Sequence, residues 1–204
     1  WSPPGNGNRT HAHYARHMRI ATWNVNSLRT RAARVVDWLV REDIDVLARA
    51  MAAMQKQLDI VWQGREAGLP LQNPYELLIL ASIIEKETGT AADRPQIAGV
   101  FINRLRKGMR LQTDPTVIYG LGERFDGNLR KGDLQRDTPH NTYTRAGLPP
   151  TPICMPGLAS LQAAAHPAKT DALYFVARGD GSSHFSATLD SHNQAVNQYQ
   201  RGKP

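Results

Sequence analysis

Residues 79–88 read Ile79-Leu80-Ala81-Ser82-Ile83-Ile84-Glu85-Lys86-Glu87-Thr88, an apolar run that closes on two carboxylates. Upstream, Asn73 precedes Pro74, and Glu76 follows three residues after Asn73. That is the order of an N-cap, a first-turn proline and a capping-box acceptor. Leu77, Leu78, Leu80, Ala81, Ile83 and Ile84 then recur at helical spacing, which predicts a helix with one buried face. On it Glu87 follows Ile84 by three residues, Ile83 by four and Leu80 by seven, so its carboxylate lies along the apolar stripe. Glu85 lies nearer the other edge, and Lys86 points away. A carboxyl held against apolar side chains loses hydration, its pKa rises, and it gains the ability to donate a proton near neutrality. The competing reading makes Glu85, Lys86 and Glu87 the solvated last turn of a core helix, because charged residues are rarely fully buried.

The chain around this segment has 204 residues, 41% apolar, 21% charged and 7% aromatic. That suffices for one good core, or one domain plus a fragment, and it is not the composition of a disordered chain. The formal charge of +7 invites a polyanion such as nucleic acid, an anionic membrane surface or an acidic cell-wall polymer, or it reflects a generic basic surface, since no block of like charge concentrates it. Cys154 is the single cysteine, which excludes an intramolecular disulfide and any cysteine-based zinc site. No apolar run reaches the ~20 residues of a membrane helix, and no signal peptide opens the chain.

Residues 1–17, rich in Pro, Gly, Asn and His, read as a flexible tail. His11, His13 and His17 have no carboxylate or cysteine beside them, so no metal site is assigned there. Met18 to Leu28 is β-rich, Arg31 to Val40 is amphipathic, and Ile44 to Leu47 is a second short apolar run, which gives strand, helix, strand. Ile20 to Ala48 resembles the opening of the exonuclease III and abasic-site endonuclease family, where an Asn at the position of Asn24 lies in the metal and phosphate site. That family follows its second strand with a Gln-Glu pair whose Glu holds the metal; here the positions are Ala50 and Met51. The metal carboxylate is therefore missing from a nuclease reading.

From Arg49 the character changes. Ala50 to Trp62 reads as a helix and Gly64 to Pro70 as a turn. Asp93, with Gln96 three residues on, predicts a second capped helix with Ile97, Val100, Phe101 and Leu105 on its buried face and Gly108 at its end. Gln112, Thr113 and Asp114 precede Pro115, which favours an extended or turn backbone over helix. They read either as an Asx-type turn or as donors and acceptors facing a polar substrate. Residues 120–157 are loop-rich, and the Tyr and Asn within 141–144 suit sugar binding by stacking and hydrogen bonding. A short helix over Gly157 to His166, a hairpin of Leu173 to Ala177 with Ser183 to Ala187, and a last helix over Ser191 to Tyr199 complete the chain. His166, His184 and His192 read as structural histidines.

From Arg49 to Gln200 the sequence is similar to the catalytic region of the YceG-like endolytic murein transglycosylases. Ala81 to Thr88, Val100 to Leu105, Met109 to Tyr119, Asn141-Thr142-Tyr143, Gly147-Leu148-Pro149-Pro150, Ala164 to Pro167 and Tyr174-Phe175-Val176 match that family in order. The resemblance implies cleavage of peptidoglycan glycan strands at the MurNAc-GlcNAc bond to give 1,6-anhydro-MurNAc ends, with the family's catalytic Glu falling on Glu87. It implies no cofactor and no metal, cell-wall synthesis proteins as partners, no nucleic acid, and a place on the periplasmic face of the bacterial inner membrane. Gln112, Asp114, Tyr119, Asn141 and Tyr143 are the expected substrate-binding residues. The expected fold is a helix-rich α+β catalytic domain over 49–204 with a β-hairpin, long ordered loops and a lysozyme-like active-site helix. A short β-α-β appendage over 18–48, the mark of a chimeric reading frame, would precede it. The alternatives are a metal-dependent abasic-site nuclease and a non-catalytic peptidoglycan-binding module.

Overall fold

The computed structural model describes residues 46–201. The chain divides into two compact units, Trp1–Ala52 and Ala53–Pro204. The expected tail and all but residues 46–48 of the exonuclease III-like fragment lie outside the described residues. Helix α1 spans Val46–Gln63, so the strand expected over Ile44 to Leu47 is corrected at Val46 and Leu47, which are helical. The residues that follow, Ala48-Arg49-Ala50-Met51-Ala52-Ala53-Met54, are strong helix formers, and a nucleated helix extends by one hydrogen bond per residue fixed.

Helix α2, Pro74–Glu87, begins as its sequence dictates: the Glu76 amide donates to the Asn73 side chain at 3.0 Å, with Pro74 in the first turn. The Glu76 carboxylate reaches one residue further back, accepting from the Gln72 amide at 2.7 Å. Leu77, Ile79, Leu80, Ala81, Ser82, Ile83 and Ile84 are all buried, so the expected single buried face becomes burial nearly all round. The reason is position: α2 is the central helix, packed by α3 (Asp93–Arg106), α4 (Asp114–Leu121) and α6 (Leu158–Ala165). Ser82 is the one polar residue in that run, and its hydroxyl donates to the Ile79 carbonyl at 2.7 Å and accepts from the Ile153 amide at 3.0 Å. A loop is thereby stitched to the core helix with no orphaned polar group.

Helix α3 starts at Asp93 behind Ala92, without a side-chain cap; the capping role expected of Asp93 is corrected, since Asp93 is the first helical residue. The helix ends at Gly108 as expected. Gly108 has φ +64°, its amide donates to Leu105, and the next amide, of Met109, donates to Arg104; this is the Schellman arrangement that needs a left-handed residue. Gly99, in the middle of α3, touches the 168–170 segment so closely that an added Cβ would lie 2.7 Å from the Ala168 carbonyl oxygen.

The Pro115 segment departs from expectation. Gln112 and Thr113 are extended or left-handed, but helix α4 begins at Asp114, with Thr113 as N-cap and Pro115 in its first turn. Proline's missing N–H costs nothing there, because first-turn amides have no intrahelical acceptor. A 3₁₀ turn, Gly122–Arg124, and the short α5, Lys131–Gln135, interrupt the expected loop region. Strands β1 (Tyr174–Ala177) and β2 (Ser183–Ser186) form the antiparallel hairpin, with Phe175 opposite Phe185 and Tyr174 opposite Ser186. Phe175 also meets Phe101 of α3 edge-on, ring centroids 5.9 Å apart, which docks the hairpin on the core. Helix α7, Leu189–Val196, runs into a π-turn over Asn197–Arg201. The described fold is a helix-rich α+β domain, and among its residues no helix is long and apolar enough to cross a membrane.

The first of the two carboxylates is now placed. Glu85 accepts from the Ser160 hydroxyl at 2.5 Å and from the Gly157 amide at 3.1 Å, at the start of α6, whose N-cap Gly157 has no side chain to do this. Glu85 therefore caps a helix other than its own. The Ser160 bond outweighs the cost of partial burial and, with the Gly157 amide, holds the carboxyl below the usual range. Glu85→Ala is expected to cost about 1 kcal/mol, the value of a lost N-cap, and to leave activity near wild type. Because the folded pKa is lowered, that contribution is present above the ordinary carboxylate pKa and disappears as pH falls through the lowered one. Thermal melts of the two proteins should thus converge in acid; a gap that widens there would refute the capping role.

Candidate active site

Glu87 is the last residue of α2, and Thr88 behind it is extended. Its carboxylate faces a cleft of about 370 Å³ lined also by Arg104, Gln112, Asp114, Tyr143, Tyr174 and His192. Thr113 does not cap α4 with its hydroxyl; instead Thr113 Oγ1 donates to Glu87 Oε1. Burial pushes the Glu87 carboxyl up to about 7, the Thr113 hydroxyl opposes that by favouring the charged form, and the Asp114 charge adds to the rise. Two carboxyls in one helical turn are thus driven in opposite directions, Glu85 down by hydrogen bonds and Glu87 up by desolvation.

The support behind Thr113 is a cluster of buried threonines. Thr142 accepts from the Thr113 amide at 3.1 Å, lies 2.9 Å hydroxyl to hydroxyl from Thr116, and takes the Gln112 amide on its carbonyl at 3.2 Å. Thr116 donates to the Thr113 carbonyl at 2.7 Å. These bonds fix the two chain segments, 112–116 and 141–143, that carry most of the cleft's polar groups. Gln112 has φ +52°, the one non-glycine residue with positive φ among those described. Such a conformation is uncommon for a residue with a Cβ, and it persists here because both its amide and its side-chain oxygen are held, the latter by Arg104 at 3.3 Å.

Of the five residues expected to bind substrate, Gln112, Asp114 and Tyr143 line this cleft. The Tyr143 hydroxyl donates to Asp114 Oδ1 at 2.5 Å, and burial with that bond pushes the phenol above its ordinary range. Asn141 is fully buried behind them: its Nδ2 donates to the carbonyls of Arg136, Leu134 and Asp133, and its Oδ1 accepts from the Tyr143 amide at 2.8 Å. Tyr119 lies apart, exposed, with its ring 4.8 Å from that of His140. The structure brings in Arg104 and His192, which sequence reading did not single out for this site. Thr113, grouped in the sequence with Gln112 and Asp114 as donors and acceptors facing a substrate, has its hydroxyl on Glu87, 26 positions away. Arg104 sat in a family motif and was unassigned, and His192 was read as structural. His192 stacks on Tyr174 at 5.2 Å, and burial followed by the Arg104 charge lowers its pKa. A larger hollow of about 550 Å³ lies between α1, the start of α3 and α6, but no carboxylate lines it.

The model of the YceG-like family matches residues 38–198. The chain belongs to the YceG-like family. The match begins inside the 18–48 stretch and runs from α1 through α7 into the final π-turn. The endolytic murein transglycosylase of Bacillus subtilis strain 168 is 51% identical over 125 residues, covering 61% of this YceG-like chain and 34% of that protein. The endolytic murein transglycosylase of Streptococcus pneumoniae R6 is 33% identical over 158 residues, 75% of this chain and 28% of its own length. A crystal structure of a yceG-like protein from Listeria monocytogenes superposes with a TM-score of 0.55 at 50% identity, over 59% of this chain and 38% of that one. The chain thus spans about a third of the length of these relatives.

The two neighbours of Glu87 yield a paired prediction. With Glu87 as the acid that the family resemblance implies, Thr113→Val removes a bond that favours the ionised carboxyl, so the pH at which activity is lost on the alkaline side should move up, with a rate loss of about tenfold from poorer orientation. Asp114→Asn removes a nearby negative charge, and the same midpoint should move down. Profiles of kcat/KM against pH for both variants check this; shifts of the same sign would contradict the assignment.

Proposed function

We propose that this chain carries the catalytic centre of an endolytic murein transglycosylase, with Glu87 as its acid and base. The observation that carries the reading is a glutamate whose carboxyl is pushed up to about 7 in an open polar cleft, held there by the Thr113 hydroxyl. A carboxyl with that pKa is protonated in a large part of the population near neutral pH and can give its proton to a glycosidic oxygen. The resulting carboxylate accepts the proton of the 6-hydroxyl of the same N-acetylmuramic acid as that oxygen attacks the anomeric carbon. The ring closes to the 1,6-anhydro sugar, the leaving N-acetylglucosamine keeps the donated proton, and Glu87 returns to its acid form. The nucleophile is intramolecular, so no activated water is needed. Gln112, Asp114 and Tyr143 position the sugar in the cleft; Asn141 supports Tyr143 from behind, and Tyr119 is available to a more distant part of the glycan. The enzyme acts outside the cytoplasmic membrane, on its periplasmic face, alongside proteins of cell-wall synthesis.

Digestion of purified sacculi followed by mass spectrometry of the products tests the reading. Anhydro-muramyl ends are expected. Hydrolysed reducing ends would favour a second reading, for which the presence of Asp114 in the same cleft is the supporting observation: an ordinary glycosidase with two carboxyl groups. Intact sacculi that nonetheless retain the protein would make it a binding module. A nuclease of the exonuclease III kind would need its metal carboxylate at the position taken by Met51, an exposed methionine on α1.

A further inference from the structure

Arg104, in the last turn of α3, is only 7% exposed. Its Nε donates to the Leu173 carbonyl at 2.7 Å, and its Nη1 donates to the carbonyls of Leu111 at 2.8 Å and Arg110 at 3.1 Å and to Gln112 Oε1 at 3.3 Å. Every one of these acceptors is neutral. No carboxylate among the described residues forms an ion pair with it; the two ion pairs there join Arg130 to Asp126 and Arg145 to Asp137. A guanidinium remains charged at all working pH values, and a buried charge without a counter-ion costs several kcal/mol. Holding carbonyls does not require that charge, since neutral amide donors suffice. Arg104 also lines the cleft beside Glu87, Gln112 and Tyr143, and none of its hydrogen bonds uses Nη2. Its plane is fixed before any ligand arrives, with the Tyr174 ring centroid 5.1 Å from Cζ. The adjacent Glu87 does not neutralise it while protonated, and the Asp114 carboxylate, which accepts from the Tyr143 hydroxyl, forms no ion pair with it.

We propose that Arg104 is an anion-binding residue of this cleft and takes a carboxylate carried on the 3-O-lactyl arm of the muramyl residue. This rests on the murein reading. It adds what selects the sugar, since N-acetylglucosamine has a hydroxyl where N-acetylmuramic acid has that acidic arm. The carboxylate has two sources with the same chemistry. On a glycan stripped of peptide it is the lactyl carboxyl itself; on a peptide-bearing strand that carboxyl is an amide, and the nearest carboxylates belong to the stem peptide. A guanidinium with a free N–H edge suits both, because it binds carboxylates through charge-assisted and geometrically directed bonds.

The test is a binding titration on the full chain carrying Glu87→Gln, so that no ligand is consumed. Four disaccharides serve as probes: N-acetylglucosaminyl-N-acetylmuramic acid, the same sugar with its lactyl carboxyl converted to an amide, the same sugar extended by an L-Ala-D-Glu dipeptide, and di-N-acetylchitobiose. At least one of the two carboxylate-bearing probes should bind about tenfold or more tightly than the amide and than chitobiose. Whichever does so names the source. Adding Arg104→Gln should remove the margin, weakening the carboxylate-bearing probe by more than it weakens chitobiose, and Arg104→Lys, which keeps the charge but not the fork, should retain part of it. Retained chitobiose binding also reports that the variant is folded. If Arg104→Gln fails to fold, a reduced margin in Arg104→Lys carries the assignment, and an undiminished one overturns it. Equal affinity for all four probes, alongside anhydro ends from sacculi, overturns the Arg104 assignment alone; absence of both cleavage and binding overturns the murein reading with it.

Discussion

Glu87→Gln is expected to lower the release of anhydro-muramyl ends from sacculi by about 10³-fold or more, because it removes both the proton donor and the acceptor of the reaction. The same substitution should make the protein more stable in alkali, and the sign follows from the carboxyl's raised pKa. The folded state binds a proton more tightly than the unfolded chain, so stability is lost as pH climbs from the ordinary carboxylate value of 4.5 toward about 7. With each pKa unit corresponding to about 1.4 kcal/mol, the ionised Glu87 costs the fold about 3 kcal/mol above neutrality. Glutamine cannot ionise, retains an oxygen for the Thr113 hydroxyl and has nearly the same volume. Denaturant melts of the two proteins should therefore coincide near pH 4 and separate by about 3 kcal/mol near pH 8, with the inactive variant ahead. A wild-type protein as stable as the variant at pH 8 would mean that Glu87 titrates as an ordinary carboxyl, and the acid assignment would fall with it. The wild-type pH profile of kcat/KM must agree, falling with a midpoint near 7 on the alkaline side.

Asn141→Ala is the second large effect, and it separates two roles. A residue that only touches sugar would, when truncated, raise KM and leave the melting curve alone. Asn141 instead satisfies the carbonyls of Asp133, Leu134 and Arg136 with its amide nitrogen while its oxygen holds the Tyr143 amide. Alanine leaves a buried cluster of backbone acceptors and one donor without partners, and each such group costs about 1–3 kcal/mol, softened by whatever water enters. A net loss of about 3 kcal/mol is expected, together with a fall in kcat as the Tyr143–Asp114 pair loses its support. Chemical denaturation with product assays on the folded fraction measures both. A variant with native stability and a pure KM defect would return Asn141 to the list of sugar ligands.

These two residues show what could be read in advance and what could not. The direction in which Glu87 points is a matter of helical spacing, three and four residues from isoleucines, and it emerges from the chain without any tertiary knowledge. The start of α2 is equally local, since Asn73, Pro74 and Glu76 act on amides within a few residues of themselves. So is the hairpin, announced by Gly179-Asp180-Gly181 between two short β-rich runs; Gly179 and Gly181 both adopt positive φ. Thr113 is legible only as one of three polar neighbours, and Arg104 not as a member of the site, because what decides their roles is a partner or a missing counter-ion brought in from distant sequence. Asn141 could be recognised as special from its company of Thr and Tyr, but whether its amide faces solvent or a ring of carbonyls depends on how 133–136 curls beneath it. The helix beginning at Asp114 is obscured in the sequence because Pro115 disfavours helical backbone at the residue before it. Its tolerance in a first turn turned out to decide the matter.

Helix ends ordinarily fray, their last turns opening and closing far more readily than the body of the helix. The end of α2 is denied that freedom on two sides, by Glu85 at the start of α6 and by Glu87 on the Thr113 hydroxyl. The Glu87 carboxyl is therefore aligned to a neighbouring helix rather than to the loose terminus of its own. Its torsional entropy is surrendered once, when the chain folds, so that in the proposed reaction its angle of approach is fixed before substrate binds.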